Sequence, residues 1–205
     1  AGFMLTHFSN GRFKAPNSGI NTIAFNLGLN YNFNDKQEFI VDSLPSKDTY
    51  KERIKYNIAF RTGISEGPVP HLGQRQFYHI GLYADKRIGR KSALQLGTDV
   101  FFSRYLQDYI EFVSVAFPEN HDSYADPDTD YKRIGLFIGH ELFINKLSIE
   151  TQLGYYVYKP FDYEIDIYQR VGIKYYLYKN IFTGVGLKTH GGRAEAIEAT
   201  VGVRL

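Results

Sequence analysis

Residues 165–178 read Ile-Asp-Ile-Tyr-Gln-Arg-Val-Gly-Ile-Lys-Tyr-Tyr-Leu-Tyr. Successive side chains of a strand point to opposite faces. Ile165, Ile167, Val171, Ile173, Tyr175 and Leu177 therefore make an apolar side, and Asp166, Tyr168, Arg170, Gly172, Lys174 and Tyr176 make a side that carries charge. The same split recurs downstream in Ala194–Leu205 and Ile181–His190, and upstream in Leu147–Tyr158, Tyr131–Ile144, Ala93–Ser103, Phe77–Ile88, Arg53–Ser65, Asn21–Phe33 and Gly2–Ser9. No convincing helical stripe interrupts the series. The reading is all-β and antiparallel, with about ten strands long enough to span a membrane, in a single domain over residues 1–205.

Alternation alone does not say which face is wet, so composition has to arbitrate. Ile134, Leu136, Ile138, Leu142 and Ile144 would leave an exposed stripe if they faced water, whereas Arg133, Gly135, Gly139 and Glu141, like Lys188, His190, Glu198 and Arg204, suit a polar lumen. A transmembrane β-barrel follows, with Leu27, Leu136, Ile173 and Val201 toward lipid and Asn26, Arg133, Lys174 and Glu198 toward the lumen. Its competitor is a soluble sandwich or lipocalin-like barrel with the apolar faces turned inward. No apolar run of about 18 residues exists, which excludes a transmembrane helix, and a mean hydropathy of −0.32 is compatible with alternating strands. A net charge of +2 with scattered signs supplies no basic stripe, so nucleic acid is a poor partner. With no cysteine, disulfides, thiol catalysis and Cys-ligated metal are excluded.

Connection lengths agree with an outer-membrane barrel, where short periplasmic turns alternate with longer outer loops. Gly89–Lys91, Asn145-Lys146 and Lys179-Asn180 read as turns; Gly67–Gln74, Gln107–Asp130 and Phe161–Glu164 read as long loops. Both termini then lie in the periplasm and Asn10–Ser18 outside, with Asn34–Glu52 an unexpectedly long periplasmic segment. The chain opens inside a strand and is expected to be processed or to lack an N-terminal portion, with further strands upstream.

One constellation carries chemistry. Phe3, Leu5, His7 and Ser9 share a face, and a hairpin through Asn10–Ser18 would pair Ser9 with about Gly19 and His7 with about Asn21. Hydroxyl, imidazole and a third group to orient the imidazole are the parts of nucleophilic catalysis. The bland alternative is a set of polar side chains among lipid headgroups. The string His7-Phe-Ser9-Asn10-Gly11, followed by Lys14-Ala-Pro16-Asn17-Ser-Gly19-Ile20-Asn21, resembles the active-site segment of the PagL family of lipid A deacylases and their longer acyloxyacyl hydrolase relatives, with a looser likeness at Gly139–Leu142 and Gly186–His190.

That resemblance implies an outer-membrane barrel that hydrolyses a fatty acyl ester of lipid A without a cofactor. Ser9 would be the nucleophile, His7 the general base and Asn21 its orienting partner. Asn17 and the backbone amides of the Asn10–Arg12 turn, Gly11 included, would hold the oxyanion. The smaller family enzymes carry Glu where this chain has Asn21; an amide can select the imidazole tautomer but cannot offset an imidazolium charge. A catalytically inactive barrel, serving as a pore or as a structural subunit of an envelope complex, is the competing function.

Weaker candidates complete the inventory. His140 faces the apolar side and reads as an interfacial or partner-contacting residue, since no metal-site spacing accompanies it. Lys188, His190, Arg193, Glu195 and Glu198 read as solvated lumen and loop charges, with contact to lipid A phosphates as the alternative. Asp122, Asp126, Asp128 and Asp130 read as a hydrated acidic loop, because the Gly and terminal Glu of a calcium loop are missing. No metal site is expected.

Overall fold

The computed structural model describes residues 1–14, 19–29 and 52–205, which fall into two compact units, one with residues 1–9 and 19–29 and the other with residues 10–14 and 52–205. In the first unit, β1 (Gly2–Phe8) and β2 (Ile20–Asn26) pair antiparallel, in a register that sets Phe3 against Phe25 and His7 against Asn21. The Phe3 and Phe25 rings meet edge to face at 5.4 Å.

The second unit holds β3 (Lys55–Glu66), β4 (Gln74–Arg87), β5 (Ser92–Ser103), β6 (Arg133–Ile144), β7 (Leu147–Tyr158), β8 (Ile167–Tyr178), β9 (Ile181–His190) and β10 (Arg193–Arg204). Each pairs antiparallel with the next, and β10 returns to β3, closing an eight-stranded barrel. Ten strands are therefore described, as counted from the sequence. Eight of them close the barrel, and among the described residues β1 and β2 pair with each other. Asn26, at the end of β2, is exposed rather than buried in the barrel interior like Arg133 or Glu198, and Leu27 after it is 77% exposed. Alternation sorts side chains but does not say which strands share a sheet.

Within the barrel the two faces are as expected. Leu136, Ile173 and Val201 point outward and are more than half exposed, whereas Arg133, Lys174 and Glu198 are buried inside. The interior is packed, with Tyr83, Phe101, Phe137, Tyr156, Tyr168 and Phe182 forming an aromatic cluster between the charged layers. Gly154 makes room for one of these rings, since a Cβ there would stand 2.1 Å from Cζ of Tyr168. An apolar wall around a charged interior is the inverse of a soluble barrel, and it is stable only where something other than water covers the wall.

One element departs from the all-β reading. The segment read as loop contains α1 (Arg104–Ala116), whose Tyr105, Leu106, Ile110 and Val113 are buried. The 105/106, 109/110, 113 spacing is a helical stripe. It follows β5 without a break, and the alternating tail Phe112–Phe117 disguises it as strand. The helix stops at Phe117, which is extended ahead of Pro118, as the residue before proline prefers. Its buried side packs against Ala125, Tyr131 and Phe161.

Candidate functional site

His7 and Asn21 meet as the hairpin register requires. Asn21 Oδ1 lies 2.6 Å from His7 Nδ1, and because an amide oxygen only accepts, the ring proton belongs on Nδ1 and the lone pair on Nε2. Gly19 stands at φ +60°, a left-handed conformation that favours glycine, and a Cβ on it would come within 2.9 Å of His7 Cε1. The sequence reading had paired Gly19 with Ser9 without giving it a role; the contact assigns it one, as the floor on which the imidazole lies. Ser9 follows the last residue of β1 and is exposed. Gly19→Ala should lower turnover by about tenfold, through a displaced ring and a strained backbone, while barrel stability changes by less than about 0.5 kcal/mol. Initial rates and melting of the two proteins measured side by side will check this.

In the barrel unit, Asn10 closes a turn on itself: its Oδ1 accepts from the Arg12 amide at 2.9 Å, its Nδ2 donates to the Lys14 carbonyl at 2.6 Å, and its carbonyl accepts from the Phe13 amide. Gly11 is buried against Ile197. Arg12, a non-glycine residue at φ 62°, anchors the turn. Its guanidinium donates to the Glu66 carbonyl at 3.0 Å, to Tyr163 Oη at 2.9 Å and to Glu164 at 2.9 Å, and it lies over the Tyr105 ring. Burial opposes its charge, but Tyr105, Tyr163 and Glu164 outweigh that and hold it firmly protonated. The sequence reading gave Arg12 only a backbone amide. Asn17 lies outside the described residues.

The charges read as solvated are instead buried and paired, Arg193 excepted, which is exposed. Glu195 binds Arg133 and Lys188; Glu198 accepts from Arg170 Nε at 2.6 Å and lies 2.7 Å from His79 Nδ1; Asp99 accepts from Arg61 at 3.0 Å and Arg170 at 2.7 Å. Lys174 joins Glu141 and Glu150 nearer the short turns. Alternation marked these side chains as inward, but only barrel closure removes the water. At the long-loop end, Arg133 donates to Glu164 at 3.2 Å. Burial and Glu195 push the Glu164 carboxyl up, but its contact with His190 and the Arg133 charge prevail and hold it below the usual carboxylate range.

Glu164, His190 and Glu195 bring ligand atoms within 4.8 Å of one another, close enough to hold a metal. Arg12, Arg133 and Lys188 already neutralise the two carboxylates, and a divalent cation would have to displace them. The acidic loop is locally occupied too: Asp126 accepts from the Asp128 amide at 2.9 Å and Asp130 from the Lys132 amide at 3.0 Å. His140, half-buried on the outer wall, bonds Ser92.

Residues 54–205 match the family described as acyloxyacyl hydrolase, C-terminal domain. The chain belongs to that family. Residues 1–30, which include Ser9, His7 and Asn21, match a second family, lipid A 3-O-deacylase (PagL). No curated protein matches the chain. Among solved structures, Neisserial surface protein A (NspA) is similar over 74% of this chain and 95% of its own, at 14% identity and a TM-score of 0.41. The acyloxyacyl hydrolase match spans the whole barrel, whereas the deacylase match spans the hairpin together with the Arg12 turn, which the structure groups with the barrel.

Proposed function

We propose that this chain is an outer-membrane serine hydrolase that removes a fatty acyl chain from an ester of lipid A. The observation that carries the reading is the 2.6 Å contact between His7 Nδ1 and Asn21 Oδ1, in a chain of the acyloxyacyl hydrolase family. With its proton on Nδ1, the imidazole has Nε2 free to take the Ser9 hydroxyl proton as Oγ attacks the ester carbonyl. Attack gives a tetrahedral intermediate, whose oxyanion needs hydrogen-bond donors. Collapse expels the sugar or hydroxyacyl alcohol, which takes the proton from His7, and water then releases the fatty acid from Ser9 by the same steps in reverse roles. The outward apolar wall supports a membrane location, with the acyl chain lying along it and the ester at headgroup height. Mass spectrometry of lipid A incubated with the purified chain tests the proposal: loss of one acyl mass and appearance of the free fatty acid is expected, and unchanged lipid A would overturn it.

The competing reading, a barrel without catalysis, is favoured by Asn21 standing where the smaller enzymes carry Glu. Its pore variant fits poorly with an interior filled by aromatic rings and paired charges. Asn21→Ala should lower the rate by about 10- to 100-fold without loss of fold, and Asn21→Glu should retain or raise it by stabilising the imidazolium. If both variants keep the parent rate, Asn21 does not orient His7.

A further inference from the structure

We infer that the short-turn end of the barrel is a binding site for an anionic glycerophospholipid, one acyl chain lying in a groove of the outer wall and the phosphate among the turn cations. The groove has a volume of about 790 Å³ and crosses β4 to β7. Ala84 and Thr151 are its small outward residues, with Leu94, Leu96, Ile138 and Leu153 at its sides. A flush wall would carry a large side chain at each of those positions. Among the polar residues of the lining, His140 and Lys86 lie toward the turn. His140 bonds Ser92, the first residue of β5, so a hydroxyl and an imidazole sit half-buried where the apolar wall meets the turn. Lys86 lines the groove and donates to the Glu52 carbonyl at 2.6 Å, a contact that leaves its charge uncancelled.

The charge distribution chooses the occupant. Lys86 near the end of β4, Arg90 and Lys91 in the β4–β5 connection, Lys146 in the β6–β7 turn and Lys179 in the β8–β9 turn are all exposed, and among the described residues none forms an ion pair. Among the described residues, the carboxylates Asp85 and Glu52 near this end are already engaged, Asp85 by Arg204 and Glu52 by Arg87 and Arg204. At the long-loop end the exposed charges are mostly acidic, among them Glu111, Glu119, Asp122, Asp126, Asp128 and Asp162. One end of the barrel therefore attracts phosphate and the other repels it, and each basic residue near an anionic surface strengthens binding by about fivefold. A neutral lipid would satisfy the groove but not the cations. A free phosphate would satisfy the cations but not the groove.

The inference rests on the membrane reading, and the test separates the two. The full chain is reconstituted into phosphatidylcholine vesicles with a minor share of phosphatidylglycerol, re-extracted in neutral detergent, and its retained lipid identified by native mass spectrometry. Phosphatidylglycerol should be retained in preference. The triple variant Lys86→Gln, Arg90→Gln, Lys91→Gln should lose that preference by about fivefold per charge, with lipid A deacylation unchanged. The matched triple at the other end, Arg104→Gln, Lys132→Gln, Arg193→Gln, should keep it. Equal retention of both lipids by the parent chain, equal loss in both triples, or displacement of phosphatidylglycerol by added lipid A would overturn the site. A chain that does not enter the vesicles overturns the membrane reading and the site with it.

Discussion

Ser9→Ala is expected to reduce fatty acid release from lipid A by about 10⁴-fold or more, the scale on which loss of a nucleophile acts where the remaining groups cannot replace it. Ser9 is exposed at the end of β1, and removing one exposed hydroxyl costs less than about 0.5 kcal/mol of stability. The variant should therefore migrate as a folded, heat-resistant barrel while leaving lipid A at its full acyl mass. Release at the parent rate would show that another group attacks the ester. A small residual rate, unaffected by a second change at His7, is the expected signature of groups that act as one unit.

The largest stability effect is expected from Arg170→Met. The guanidinium of Arg170 lies on the barrel axis side of β8, where it donates to Glu198 through Nε at 2.6 Å, and to Asp99 and the side-chain Oε1 of Gln152 through Nη1 at 2.7 and 2.5 Å. Methionine has similar bulk but leaves two buried carboxylates short of their cation, and breaking one partner of a buried pair costs about 3–5 kcal/mol. Glu198 would retain His79 and Asp99 would retain Arg61, which places the expected loss toward the lower end. The midpoint of thermal or urea unfolding in detergent measures it. A variant as stable as its parent would mean that water reaches this layer of the interior. The same argument revises Arg133, whose replacement by Leu is milder than Leu136→Arg if only alternation is considered. Because Arg133 bonds Glu195 and Glu164, removing it leaves two carboxylates one cation short, with Lys188, Arg12 and His190 still facing them, and both substitutions are expected to be damaging.

What the sequence determined by itself is local in origin. A residue's face on a strand depends only on its position along that strand, so the outward Ile173 and inward Lys174 follow from a period of two, and the tight turns at Asn145 and Lys179 follow from where that period breaks. The His7–Asn21 contact was legible from alternation together with a hairpin placed through Asn10–Ser18, which sets His7 across from Asn21. The tertiary structure decided what depends on residues far apart in the chain. β10 closes on β3, while among the described residues β1 and β2 form a sheet of their own, and no periodicity encodes which edge a strand meets. Closure also turns inward charges from solvated into buried, and it selects partners such as Arg170 with Asp99, 71 residues away, and Arg12 with Glu164, 152 residues away. The helix Arg104–Ala116 is the intermediate case. Its stripe is present in the sequence, but its apolar face gains meaning only when Phe161 and Tyr131, from other loops, arrive to cover it.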